Sequence, residues 1–90
     1  MPKVEHDPLL VRVMLFGPLS RAVGRPEVAV PLRCETPTCA MLRAALAERE
    51  PRLASWLSGC RFAVNREFAA EDRPIAESDE IALIGFVSGG

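Results

Sequence analysis

Few residues of this chain have side chains or backbone suited to chemistry: one histidine, His6, three cysteines, Cys34, Cys39 and Cys60, and the closing pair Gly89-Gly90. Two residues without a Cβ can enter a channel too narrow for any side chain, so what Gly89-Gly90 offers is backbone and a carboxylate. Such a carboxylate ionises at roughly pH 3.3–3.7 and near neutrality is a poor electrophile. Converted to an acyl adenylate by a nucleotide-using partner, it would accept a sulfur or amine nucleophile by ordinary acyl transfer. By itself a Gly-Gly end is equally compatible with an inert, frayed terminus. His6 sits in the polar stretch MPKVEHDP and reads as solvated. The cysteines are odd in number and lack CxxC spacing, which argues against a disulfide framework and against a zinc site, so no metal is expected. Cys39 reads as a small hydrophobe, while Cys34 and Cys60 carry no assignable role.

The rest of the chain has to position that end. Ninety residues make one small domain around a single core. A formal charge of −1 with 26% charged residues gives no basic excess for nucleic acid. No apolar run is long enough to span a membrane, and the polar start is unlike a signal peptide, so a reducing cytoplasm is the expected location. The division expected is a flexible lead over residues 1–8, a domain over 9–84 and an extended tail over 85–90.

Leu9–Gly17 alternates Val11, Val13 and Leu15 against Leu10, Arg12, Met14 and Phe16, which predicts a strand with the first set facing the core. Gly17-Pro18 ends it, and 19–24 has room for one helical turn closed by Gly24. Glu27–Leu32 is a second strand with Val28, Val30 and Leu32 on one face, antiparallel to the first. Its Pro31 lacks a donor and requires an edge or a strand end. In 36–50 a threonine can cap, Pro37 suits the first turn, and Cys39, Leu42, Ala45 and Leu46 form one apolar stripe, predicting the main helix. Pro51 breaks the pattern. Leu53, Trp56 and Leu57 then predict a short helix ended by Gly59, with Trp56 in the core or at its edge. Arg61–Asn65 reads as a strand turning at Arg66-Glu67 into Phe68-Ala69, and Glu80–Ile84 as the last strand, with Ile81 and Leu83 opposite Ala82 and Ile84. The order β-β-α-β-β predicts an α+β domain whose helix crosses one face of a mixed sheet. With the last strand central, six extended tail residues reach roughly 20 Å beyond it at about 3.3–3.6 Å each.

Taken together, the segments Val13-Met14-Leu15-Phe16-Gly17-Pro18-Leu19, Thr38 through Leu46, Ala63-Val64-Asn65, Asp79-Glu80-Ile81-Ala82 and Val87-Ser88-Gly89-Gly90 resemble the small subunit of molybdopterin synthase. That family belongs to the ubiquitin-like β-grasp sulfur carriers, with the thiamine sulfur carrier among its relatives. The resemblance runs in consistent order from Leu10 to Gly90. It implies a β-grasp fold and a non-catalytic, sulfur-donating subunit of a heteromeric sulfurtransferase, with the catalytic residues on the large subunit. Gly90 would be adenylated by an E1-like enzyme using ATP and converted to a thiocarboxylate by a sulfur donor protein. The tail Phe86, Val87, Ser88 and Gly89 would insert into the large subunit, and the sulfur would go into the dithiolene of the molybdenum cofactor. No cofactor is implied on the chain itself.

The resemblance further implies a docking face at Phe16, Phe68 and Ile84, unless a second layer such as the short helix covers them. Two departures are visible. Ser20-Arg21 stands where relatives carry Arg-Glu, and Gly85-Phe86 where they carry Pro-Pro, so φ restriction at the tail base is lost. Phe86 either anchors in a partner or packs back on the domain. Other sulfur pathways (thiamine, cysteine or tRNA thiolation), a ubiquitin-like modifier joined to lysines through Gly90, and an interaction domain with an inert tail are the remaining readings.

Overall fold

Alternation of apolar and polar side chains builds the first strand, β1 (Leu9–Met14), with Val11 and Val13 buried and Leu10 and Arg12 outside. The structure, a computed structural model, describes residues 8–85. Beyond β1, Leu15 stays in the core and its N–H donates to the carbonyl of Pro26 at 2.8 Å. Gly17, at φ 53°, then turns the chain into α1 (Pro18–Val23), which Pro18 opens and Gly24 closes at φ 87°. Both glycines occupy the left-handed region that side chains disfavour. The second strand, β2 (Glu27–Leu32), pairs antiparallel with β1 in the register Val11 to Val30 and Val13 to Val28. Pro31 is tolerated because β2 is an edge strand.

The main helix, α2 (Cys39–Arg49), buries Cys39, Leu42 and Leu46 along one stripe, with Ala45 half-buried beside them. Pro37 was expected in its first turn. Instead Thr38 is the cap, its Oγ1 accepting from the Met41 N–H at 3.4 Å, and Pro37 lies ahead of it. The reason is the loop after the fourth strand. The N–H groups of Cys39 and Ala40 donate to the carbonyls of Arg73 and Glu71 at 3.1 and 2.8 Å, while the Pro37 carbonyl accepts from Ile75 at 2.8 Å. Those bonds fix where the helix can begin, since first-turn donors have no partner inside it.

After Glu50 comes α3 (Pro51–Leu57), with Leu53 and Leu57 buried. Next, β3 (Cys60–Val64) and the two-residue β4 (Glu67–Phe68) form a tight hairpin. Its turn lies at Asn65-Arg66, one residue earlier than the sequence reading. Both have positive φ, 54° and 71°, as a two-residue turn matching the strand twist requires. The last strand, β5 (Ile81–Gly85), lies between β1 and β3 in the order β2-β1-β5-β3-β4, parallel to β1 and antiparallel to β3. A mixed five-stranded sheet with α2 across one face is the ubiquitin-like β-grasp arrangement expected above. Between the two layers lie Val13, Val30, Phe62, Ile81 and Leu83 from the sheet and Leu42, Leu46 and Leu53 from the helices.

A polar clasp sets where β5 starts. The Asn65 N–H donates to the Glu80 carbonyl at 2.7 Å, and the Glu80 N–H returns a bond to Asn65 Oδ1 at 2.9 Å. Asn65 Nδ2 donates to Asp79 Oδ1 at 2.9 Å, while Asp79 Oδ2 accepts from the Ala76 N–H at 2.8 Å and from Arg73 at 3.3 Å. The Ala76 N–H, then the Asn65 amide, hold the Asp79 carboxyl below its ordinary value. An unfolded chain therefore binds more protons than the native one just below that ordinary value, and the stabilisation present at neutral pH is lost as pH falls through the depressed value. Replacing Asp79 by Ala is expected to cost about 1.5–3 kcal/mol, the range for hydrogen bonds to a charged group. Urea unfolding at pH 7 and pH 3 checks both statements: the gap between wild type and D79A should narrow at the lower pH.

Candidate functional site

The tail base is the end of β5. Cys60 on β3 lies opposite Gly85, and Arg61 opposite Ile84, so this strand is still paired at its last described residue. Gly90 and the tail residues Phe86, Val87, Ser88 and Gly89 lie outside the described residues, as does His6. The structure thus gives the mount from which the tail departs.

Two surfaces adjoin that mount. The first is the sheet face opposite α2. Register places Met14, Ala82, Ala63 and Phe68 in one row across β1, β5, β3 and β4, with Ile84 and Arg61 in the next. Phe16 and Phe68 are 54% and 53% exposed and Ile84 is half-buried, so the short helix does not cover the aromatic pair. The three expected docking residues do not form one apolar patch. Arg61 lies between Ile84 and Phe68, its guanidinium 4.8 Å from the centroid of the Phe68 ring. Such stacking contributes about 0.5–1 kcal/mol at an exposed site and holds the ring side-on. Sequence reading missed Arg61; strand alternation, which sets it on the same side as Ala63, was the available signal.

The second surface is a groove at the open end of the sheet. It has a volume of about 570 Å³ and is lined by Phe16 and Leu19 on one side, Trp56 and Gly59 on the other, and Ile84 and Gly85 at the base. Phe16 and Ile84 thus border both surfaces. Trp56 was expected in the core or at its edge, yet it is 42% exposed. In a helix of only seven residues, Leu53 and Leu57 suffice to cover the core, and Trp56 is left over the end of the sheet. The position of α3 is braced by Arg43, which donates to the Leu57 carbonyl. The same guanidinium meets both oxygens of Glu71, Nε at 3.0 Å and Nη2 at 2.8 Å, and lies over the Phe62 ring at 5.4 Å. Hydrogen bonding to Arg43 is the main cause that lowers the Glu71 carboxyl and raises Arg43 itself. Both stay charged across the neutral range.

Among the described residues, no three His, Cys, Asp or Glu side chains gather where they could hold a metal ion. No helix there is long and apolar enough to cross a membrane.

Comparison with known proteins places this geometry among others. The ThiS family model matches residues 13–90. A curated protein of Dictyostelium discoideum, the molybdopterin synthase sulfur carrier subunit, is 31% identical over 81 residues, covering 88% of this chain and 94% of that protein. Among solved structures, SAMP1 of Haloferax volcanii, a small archaeal modifier protein, superposes with a TM-score of 0.76 at 29% identity, over 88% of this chain and 97% of its own. A complex of subunits 1 and 2 of molybdopterin-converting factor from Helicobacter pylori contains a chain that matches at 29% identity and a TM-score of 0.62, over 90% and 99% of the two chains.

Thiols are the other groups on which proteins carry labile sulfur, so their state bears on where sulfur could reside. Cys39 and Cys60 are buried. Burial raises both thiols, with the Glu71 charge adding to the effect at Cys39 and Arg43 opposing it at both. Cys34 is half-buried, its Sγ 3.9 Å from the Met41 Sδ. Titrating the native protein with a chromogenic disulfide reagent should release one equivalent quickly, from Cys34, and the other two only on unfolding. Fast release from Cys39 or Cys60 would show that burial does not protect them.

Proposed function

This chain belongs to the ThiS family, and from that premise we propose that it is the small sulfur-carrier subunit of a molybdopterin synthase, bearing its sulfur as a thiocarboxylate on Gly90. The supporting observation is that the family match runs through residue 90 while the strand preceding the tail is paired on both sides within the sheet. A 31% identical relative spanning most of both chains bears the same role in its name.

The chemistry follows from the carboxylate. An E1-like partner using ATP forms the Gly90 acyl adenylate and releases pyrophosphate. A persulfide on a donor protein then expels AMP to give an acyl disulfide, and a second thiol of that donor cleaves the S–S bond, leaving the thiocarboxylate on Gly90 and a disulfide on the donor. Transfer to the pterin substrate takes the sulfur away, and water restores the carboxylate oxygen. The domain supplies rigid placement and recognition, while the large subunit supplies the site where the transfer occurs. The Helicobacter complex of subunits 1 and 2 supports that partnership. ATP-dependent activation and three unpaired thiols fit a cytoplasmic location.

A second reading, a protein modifier joined to lysines, has the likeness to SAMP1 in its favour. Both readings share the adenylate and differ in the nucleophile that follows. Intact-mass measurement of the protein from its own cells should show a species heavier by the difference between sulfur and oxygen, localised to the peptide ending in Gly90 and abolished by deleting Gly90. Lysine-linked conjugates with no such species would support the modifier instead. Phe68→Ala is expected to weaken large-subunit binding by about 2 kcal/mol, as interface anchors do, with little change in melting temperature. Equal losses in both would show that the ring serves the fold rather than the interface.

A further inference from the structure

The groove between α1 and α3 has no part in folding that its shape explains. A cavity of about 570 Å³ lies within the roughly 300–1,000 Å³ that ligand sites occupy, but those sites carry a few convergent polar groups. Here the side chains are apolar apart from two serines and the Cys60 thiol, and no charged residue lines the groove. Nothing there would hold a nucleotide, a phosphate or a carboxylate. What the lining offers is apolar walls and bare backbone. Gly59 and Gly85 add no side chain, and the chain's single tryptophan is placed at its rim. Exposed tryptophan beside a cavity is the composition of an interface anchor.

We propose that this groove is a second docking surface for the protein that accepts the tail, receiving one aromatic or branched aliphatic side chain of that partner against Trp56. The inference rests on the carrier reading above and adds to it a surface distinct from the outer sheet face. Its place in the chain carries the argument. Gly85 lines the groove and five residues, 86–90, lead from it to the end of Gly90. Five extended residues reach at most about 18 Å at roughly 3.6 Å each. A partner holding Gly90 in a closed site therefore stands within that distance of the groove. Phe16 and Ile84, which border both surfaces, make the groove continuous with the docking face. One partner surface, wrapped around the sheet end, can cover both.

The single tryptophan supplies the test. Protein grown with 5-fluorotryptophan has one fluorine resonance, from Trp56, and is titrated with the purified molybdopterin synthase large subunit of the same genome. Binding is followed independently by calorimetry. The expected result is a shifted resonance in the complex, with Trp56→Ala weakening binding at least tenfold at an unchanged melting temperature. Gly59→Leu provides the complementary variant. An added Cβ there meets only the Trp56 carbonyl oxygen, at an ordinary 3.7 Å, and with its melting temperature recorded alongside to confirm folding, the variant should narrow the groove and weaken binding similarly.

Unchanged affinity for both variants with an unshifted resonance overturns the groove proposal and leaves the carrier reading standing. A shift produced without partner by raising the protein concentration identifies a second copy as the occupant and overturns it. So does a shift produced by deleting 86–90, which identifies the chain's own tail. Failure of the unsubstituted protein to bind the large subunit at all, together with no sulfur-bearing Gly90, overturns both readings.

Discussion

The placement of β5 in the middle of the sheet is the constraint on which the rest of the molecule depends. A last strand at an edge could fray from one side. This one is held by β1 and β3 together, with Ile81 and Leu83 under α2. Parallel pairing with β1 cannot be made by a short turn, and the chain between the two strands supplies the helices and the other strands that cover and flank β5. Burial of two large aliphatic side chains, worth about 1.5–3 kcal/mol each, then opposes withdrawal of the strand. Gly85, the last described residue, is thereby held in place by the sheet.

Hydrophobic burial and the polar groups around it together set where β5 begins. A shift of one residue would turn Ile81 and Leu83 to the outer face and bring Ala82 and Ile84 inward. The Asn65 side chain bridges the β3–β4 turn and Glu80, and Asp79 ties the same turn to the 73–76 loop. Arg43 does a comparable job on the other side of the core, joining α2 to the end of α3 and to Glu71. Each of these bonds is modest beside the burial of the core. Their value is in register and placement: the first group fixes the tail base, and the second fixes the rim of the groove beside it.

Much of the fold was legible because one face of each strand is buried and the alternation is clean. Val11, Val13 and Leu15, and Val28, Val30 and Leu32, faced the core as read, and Pro31 marked an edge. Local chemistry that depends on distant partners was not legible. Pro37 fell outside α2 because the 71–75 loop satisfies the first donors of the helix, a contact between segments over thirty residues apart in the chain. Trp56 matched the helical stripe of Leu53 and Leu57, and nothing in the pattern says that the sheet ends beneath it. The groove is a product of that ending together with α1, so no single stretch of sequence encodes it. Arg61 over Phe68 was missed for the same reason, since it joins neighbouring strands.

The basic residues of the surface are almost all of one kind. Of the eleven lysines and arginines, ten are arginine, and the one lysine, Lys3, lies outside the described residues. An acyl adenylate is captured readily by a primary amine, whereas a guanidinium stays protonated at any physiological pH and is no nucleophile. Among the described residues, therefore, no side chain presents a primary amine. Arginine still provides the ion pairs to Glu27, Glu71, Glu80 and Asp79, and in Arg43 and Arg61 it also lies over aromatic rings, which its planar head does better than an ammonium. The described surface thus carries its positive charge on guanidinium groups, which serve ion pairs and ring stacking alike.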